Sequence, residues 1–213
     1  EKFYDFVKRH RDPELKTDII IQNFNEIPYY PKLDKIKNIL DSKEYKSRMR
    51  DPLRIECYLP EYNVIQYSKF DWVCFEIDKD PSYDIYMWMD AGFSRFFDNF
   101  DLTQPWPNPN KLPIDKFTVQ GNINFINRID TLNVNEYIWD NNCLLSGGLF
   151  GGGKEIMKFM KDEIDKFVDF LFENQCFNNE QFGLASISKN NREKFNVILN
   201  LYGTPMPIFK ILS

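Results

Sequence analysis

The residues best suited to chemistry form an acid at the end of an apolar run. Asp84-Ile85-Tyr86-Met87-Trp88-Met89-Asp90 stops on a carboxylate and is followed by Ala91-Gly92. A buried strand of that kind fixes the carboxylate, and the two small residues after it let a bulky anionic ligand and its metal approach the backbone. A hard divalent cation on Asp90 neutralises a diphosphate and stabilises it as a leaving group. A capping aspartate after a core strand accounts for the same spacing with equal weight.

Two further constellations have the right residue types. Ser146-Gly147-Gly148-Leu149-Phe150-Gly151-Gly152-Gly153 sets glycines on both sides of an apolar pair just before a helix, which permits a ligand to lie against the backbone. The run has neither a GxxxxGK[ST] nor a GxGxxG frame, and a ligand-free strand-to-helix turn explains it as well. In Asn178-Asn179-Glu180-Gln181 the carboxylate of Glu180 sits at an expected helix start, where it either caps the helix or takes the proton of an attacking hydroxyl. Capping is the simpler explanation. Lys69 and Arg95 are candidate cations for phosphate groups, against the alternative of a solvated face. The pair Phe96-Phe97 reads as core or as a platform for a ring, and Cys74 and Cys143 read as packing groups.

Positioning these groups requires strands alternating with helices. The β-branched run Thr17 to Phe24 has the pattern of a buried strand in a parallel sheet, followed by a loop to Pro31 and two short helices over residues 32 to 50. A helix is expected from Asn63 to about Ile77, and the strand ending on Asp90 follows. Pro105, Pro107, Pro109 and Pro113 then impose a long extended loop. Later strands are expected at Phe117 to Gly121 and Cys143 to Phe150, with residues 122 to 142 as connection holding one helix. Lys154 to Glu173 carries Ile156, Phe159, Met160, Ile164, Phe167, Val168 and Leu171 on one face, an amphipathic helix ~30 Å long. Glu180 to Ile187 reads as another helix, and Phe195 to Leu201 as a terminal strand. No repeat or linker divides residues 1–213, so one domain is expected.

Composition removes whole classes of function. A net charge of -5 over 213 residues supplies no basic field for a nucleic acid. His10 is the single histidine, which leaves no material for a Ser-His or Cys-His pair or an HExxH zinc site. The cysteines at 57, 74, 143 and 176 are widely spaced, which fits reduced thiols and a cytoplasmic protein. No apolar run approaches the roughly 20 residues of a transmembrane helix, so no membrane span is expected. The chain opens at Glu1, directly in the helix-like stretch Phe3 to Lys8, which suggests that an upstream piece has been cut away.

Tyr62 through Ser68-Lys69, Tyr86 through Gly92, Leu145 through Gly152 and the later Glu180-Gln181 together resemble the bacterial HtrL/YibB-like (WlaTC-type) family of glycosyltransferase candidates. The likeness covers most of the chain from about Ile19 onward. It implies a GT-A-like Rossmann-type mixed sheet flanked by helices, a nucleotide-diphosphate sugar as donor, Mn²⁺ or Mg²⁺, and a glycan or glycoprotein acceptor. On that footing Asp90 holds metal and diphosphate with Ala91 and Gly92 beside it, and Ser146, Gly147 and Gly148 line the sugar or acceptor cleft. Lys69, Arg95 and Glu180 are supporting candidates in a hexosyltransferase-type reaction: Glu180 as base implies inversion, whereas a retaining mechanism does not need it.

Two departures stand out. GT-A enzymes carry Asp-x-Asp, whereas Gly92 fills the third position here, so Asp90 is either the single carboxylate at the metal or the metal is dispensable. An N-terminal strand of the nucleotide pocket is also expected before the point where this chain starts. The competing readings are a noncatalytic glycan-binding or scaffold domain of the same fold and, last, an α/β phosphatase or nucleotidase.

Overall fold

The computed structural model describes residues 2–10, 12, 14, 16–92, 106–200, 208 and 211–212, with backbone alone at Lys2 and Phe3. The opening helix α1 spans Lys2–His10, and the two short helices expected before residue 50 are α2, Leu33–Asp41, and α3, Lys43–Arg48. Ser42 separates them: its side-chain oxygen accepts from the Tyr45 backbone N–H and so caps α3.

Helix α4, Pro60–Lys79, starts earlier than the expected Asn63. Pro60 occupies the first turn, where its missing N–H is not needed and its fixed φ already suits a helix. Helix α4 buries residues around most of its circumference, from Val64, Tyr67 and Phe70 to Val73 and Ile77, with Asn63, Ser68 and Lys69 among them. It is therefore a central helix, packed on α2, on the first strand and on the later long helix.

The strands are β1, Tyr86–Met89, and β2, Phe117–Asn122, then β3, Leu145–Gly152, and β4, Phe195–Asn200. Between β2 and β3 lie two short helices rather than one, α5, Asn124–Arg128, and α6, Val134–Tyr137. Helix α7, Lys154–Glu173, fills the whole length its periodicity predicts, and α8 covers Glu180–Asn190.

The sheet order is β1-β3-β2-β4, with β3 antiparallel to both neighbours and β2 parallel to β4. The carboxyl ends of β1, β2 and β4 therefore share one end of the sheet with the start of β3. The result is a mixed α/β architecture, a four-stranded mixed sheet flanked by helices. Among the described residues only the β2–β4 pair is parallel.

The expected parallel strand at Thr17 to Phe24 is absent. Residues 17–23 are irregular, a short 3₁₀ turn begins at Phe24, and Ile20 and Ile21 are 67% and 78% exposed. Among the described residues no strand pairs with the segment from Ile19 to Ile21, and β propensity without such a ladder yields no strand. Polar ties hold it instead, Lys79 to Asp18 at 2.9 Å and the Trp72 indole N–H to Gln22 Oε1 at 2.9 Å.

Strand alternation sends Phe117, Val119, Phe150 and Phe195 into the main core with α4, α7 and α8, where Phe70 stacks on Phe150 at 5.0 Å. The opposite face carries a smaller cluster of Leu149, Ile198, Leu112, Ile208 and Leu212. Gly151, Gly152 and Gly153 serve this packing. A Cβ on them would meet Met87 and the Tyr86 carbonyl, the Lys116 carbonyl, and the Ile114 carbonyl respectively. No helix among the described residues is long and apolar enough to cross a membrane.

Candidate functional site

Lys69 lies in the third turn of α4 and is 1% exposed, so its ammonium must find partners within the protein. It finds three kinds. Its Nζ lies 3.1 Å from Asp90 Oδ1, donates to the Gly147 carbonyl at 3.2 Å, and lies 3.4 Å from Glu180 Oε1. One cation is thus shared by the end of β1, the start of β3 and the first turn of α8.

The local backbone explains the meeting. Along the β2–β3 ladder, Val119 pairs with Phe150 but Gln120 pairs with Ser146, so Gly147, Gly148 and Leu149 are passed over by β2. On the other side Met89 pairs with Leu149 and the Asp90 N–H donates to the Gly148 carbonyl at 2.8 Å, and with Lys69 these contacts hold the bulge. Gly147 must be glycine for a second reason: a Cβ there would overlap the carboxylate of Glu180. Glu180 is buried at the N-terminus of α8, with Asn179 as N-cap accepting from the Gln181 N–H at 3.1 Å.

The two carboxylates differ in access. The side chain of Asp90 is 36% exposed and that of Glu180 1%. Asp90 is oriented by Lys69 and by the Trp88 indole N–H, which donates to Oδ1 at 2.7 Å; Trp88 in turn stacks on Trp72 at 5.6 Å. Burial pushes Glu180 above the usual range of a glutamate against the lowering pull of Lys69, and its Oε2 has no hydrogen-bond partner. That oxygen is where a proton resides at least cost.

A second layer braces α8. Asn179 Nδ2 donates to Glu56 Oε1 at 2.8 Å, and Arg54 pairs with the same oxygen at 2.5 Å while donating to the Asn141 carbonyl. Tyr62, half-buried and two turns before Lys69 on α4, feels the same acids. Burial first, then the charges of Glu180, Glu56 and Asp90, push its phenol well above the ordinary tyrosine range. Burial likewise raises the Cys143 thiol, against the opposing Arg54, so Cys143 is no thiolate nucleophile.

Of the sequence candidates, Asp90, Lys69, Gly147, Gly148 and Glu180 come together, with Ser146 next to the bulge and Ala91 and Gly92 exposed just beyond Asp90. Arg95 and the Phe96-Phe97 pair lie outside the described residues. Glu180 sits behind Lys69 rather than at an opening, because α8 begins inside the core and Lys69 fills the space in front of it. The sequence reading missed Arg54, Glu56, Trp88 and Tyr62 as site residues; the indole two residues before the strand-end acid was the one available signal.

Among the described residues, Asp90 is the one partly exposed carboxylate of this cluster. Its carboxylate already shares an ammonium and an indole N–H, and no three His, Cys, Asp or Glu side chains gather as a metal group among the described residues. Lys69 places one positive charge beside this carboxylate.

Comparison with known proteins gives one finding. The chain belongs to the HtrL/YibB family, described as bacterial proteins of unknown function, which it matches over residues 1–212. No curated protein and no solved structure matches it.

Proposed function

Starting from that membership, we propose that this chain is a nucleotide-sugar-dependent glycosyltransferase of GT-A-like type, moving a sugar from a nucleotide-diphosphate donor to a glycan or glycoprotein acceptor. The observation that carries the reading is Asp90, a half-open carboxylate fixed from below by Lys69 and Trp88 at the carboxyl end of β1, where ligands of open α/β sheets bind. Gly147 leaves room for the Glu180 carboxylate, and Gly148 ties its carbonyl to the Asp90 N–H.

In this mechanism Asp90 accepts the proton of the acceptor hydroxyl as that oxygen bonds to the anomeric carbon. The bond from that carbon to the diphosphate breaks, and its electron pair leaves on the phosphate oxygen. Lys69 fixes the orientation of the base, and its positive charge beneath the bulge favours the anionic leaving group. Glu180 positions Lys69 and does not touch the acceptor. No step runs through a metal ion. A cytoplasmic setting agrees with the free thiols of Cys57, Cys74, Cys143 and Cys176.

Calorimetry with UDP- and GDP-sugars, followed by a transfer assay with and without EDTA, tests the proposal. The expected outcome is donor binding in wild type, transfer unaffected by EDTA, and a loss of about 10²–10⁴-fold in kcat for Asp90→Asn with donor affinity retained. Donor binding without any turnover would favour the noncatalytic glycan-binding reading. Turnover undiminished in Asp90→Asn would remove Asp90 from the chemistry.

A further inference from the structure

A cleft of ≈ 360 Å³ opens between the end of α3, helices α5 and α6 and the segment before β3, lined by Arg50, Arg128, Asn133, Glu136, Trp139 and Asp140 among others. Its volume suits a monosaccharide-sized ligand. It lies at the same end of the sheet as Asp90: α5 follows the carboxyl end of β2, and Asp140 precedes the start of β3.

Asp140 organises the lining. Its Oδ1 lies 3.0 Å from Arg50 Nη1 and its Oδ2 2.9 Å from Arg128 Nη2, while the Asn141 N–H donates to Oδ1 at 2.8 Å. Burial opposes its ionisation, but Arg128, the Asn141 N–H and Arg50 together hold the carboxyl below its ordinary range. Both guanidiniums are thereby fixed in position. Each carries five N–H donors, of which the Asp140 contact of each engages one, and their side chains are 67% and 37% exposed.

The surroundings are cationic in an otherwise acidic protein. Arg48 lies 4.0 Å over the Trp139 ring, and Lys189 donates to the Leu132 carbonyl in the lining. The two arginines of the lining, Arg48 and Lys189 face the two carboxylates of Glu136 and Asp140. Trp139 also has a buried indole N–H without an acceptor. A lining of two prearranged planar forks and a neutral amide suits a hydroxylated ring that bears an oxyanion.

We propose that this cleft binds an acidic sugar, a carboxylate- or phosphate-bearing monosaccharide unit held by Arg50 and Arg128. As a binding site it stands alone; its assignment as the acceptor subsite, which makes the acceptor an anionic glycan, rests on the glycosyltransferase reading.

Titration of the full chain with glucuronate, glucose 6-phosphate and glucose tests it. At least one acidic sugar is expected to bind, with glucose ~10-fold weaker or worse, and which acid wins identifies the group. Arg50→Lys and Arg128→Lys keep the charge and lose the fork; each is expected to weaken the acidic sugar, and the double Gln variant to lose it by ~10-fold or more. Far-UV circular dichroism checks that each variant is folded. Asp90→Asn should bind the acidic sugar as wild type does, whereas wild type that binds the acidic sugar but transfers no sugar to it would sink the enzymatic reading alone. Equal binding of glucose, no binding of either acid, or folded arginine variants that bind as wild type would overturn the cleft assignment.

Discussion

Helix α4 supplies a residue to each of two triads of one lysine and two carboxylates, and only one of them has the surroundings of a site. Lys69 meets Asp90 and Glu180 on one side. Two residues along the helix, Asp71 lies 3.3 Å from Lys161 of α7, which also pairs with Asp165; the Tyr29 hydroxyl donates to Asp165 at 2.5 Å. Both triads contain a carboxylate pushed up by burial, Glu180 and Asp71, each with one buried oxygen that has no partner. Charge composition and pKa direction therefore do not tell them apart.

Placement does. Lys161 and Asp165 are one helical turn apart, and with Asp71 they clamp α7 to α4 between two regular helices packed side by side. Asp90 instead terminates a strand beside a bulge, with glycine backbone as its neighbour and exposed Ala91-Gly92 beyond. The raised acids Glu180 and Asp71 therefore do not mark the site by themselves; the strand end and bulge beside the first do.

Substitutions of the two lysines test this contrast most strongly. Lys69→Met leaves Asp90 and Glu180 without their buried cation and is expected to cost about 3–5 kcal/mol in urea unfolding, together with transfer activity. Gly147→Ala forces Glu180 and the bulge apart; about 1–3 kcal/mol of stability and most of the activity should go together. Lys161→Met is expected to cost about 1–2 kcal/mol, because its triad is partly solvated, and to leave turnover per folded molecule unchanged. A loss of turnover there, with the fold intact, would erase the distinction between the two triads.

The smallest effect is a slope in pH. A carboxyl whose pKa is higher folded than unfolded binds its proton more tightly in the folded state. Its contribution is complete below the unfolded value, 4.5 for Glu180, and is lost as pH rises through the folded value. Wild type should thus lose stability relative to Glu180→Gln as pH rises above 4.5, with parallel behaviour below it; comparing slopes removes the constant effect of the altered Lys69 pairing. Urea titrations across that range measure the difference, and identical slopes would show that burial does not raise Glu180.

Much of the frame was legible along the chain. The 3.6-residue period of Lys154 to Glu173 gave α7 its full length, and the apolar run before Asp90 and the turn chemistry around it located β1 and its terminal acid. The glycine-rich segment was legible as special but not as divided, with Gly147 serving the site and Gly151 to Gly153 serving packing. Thr17 to Phe24 misled because a β-branched run reports a preference, and whether a partner strand exists is not a local property.

What the sequence by itself determined was therefore the set of elements, the acid at the end of β1 and the chemistry that a single histidine rules out. Only the tertiary structure decided that Lys69 lies between Asp90, Gly147 and Glu180, which are 21, 78 and 111 residues away along the chain. Hydrophobic periodicity records which face of a helix is buried, whereas a buried charge is read from its partners, and those are chosen by packing across the sheet.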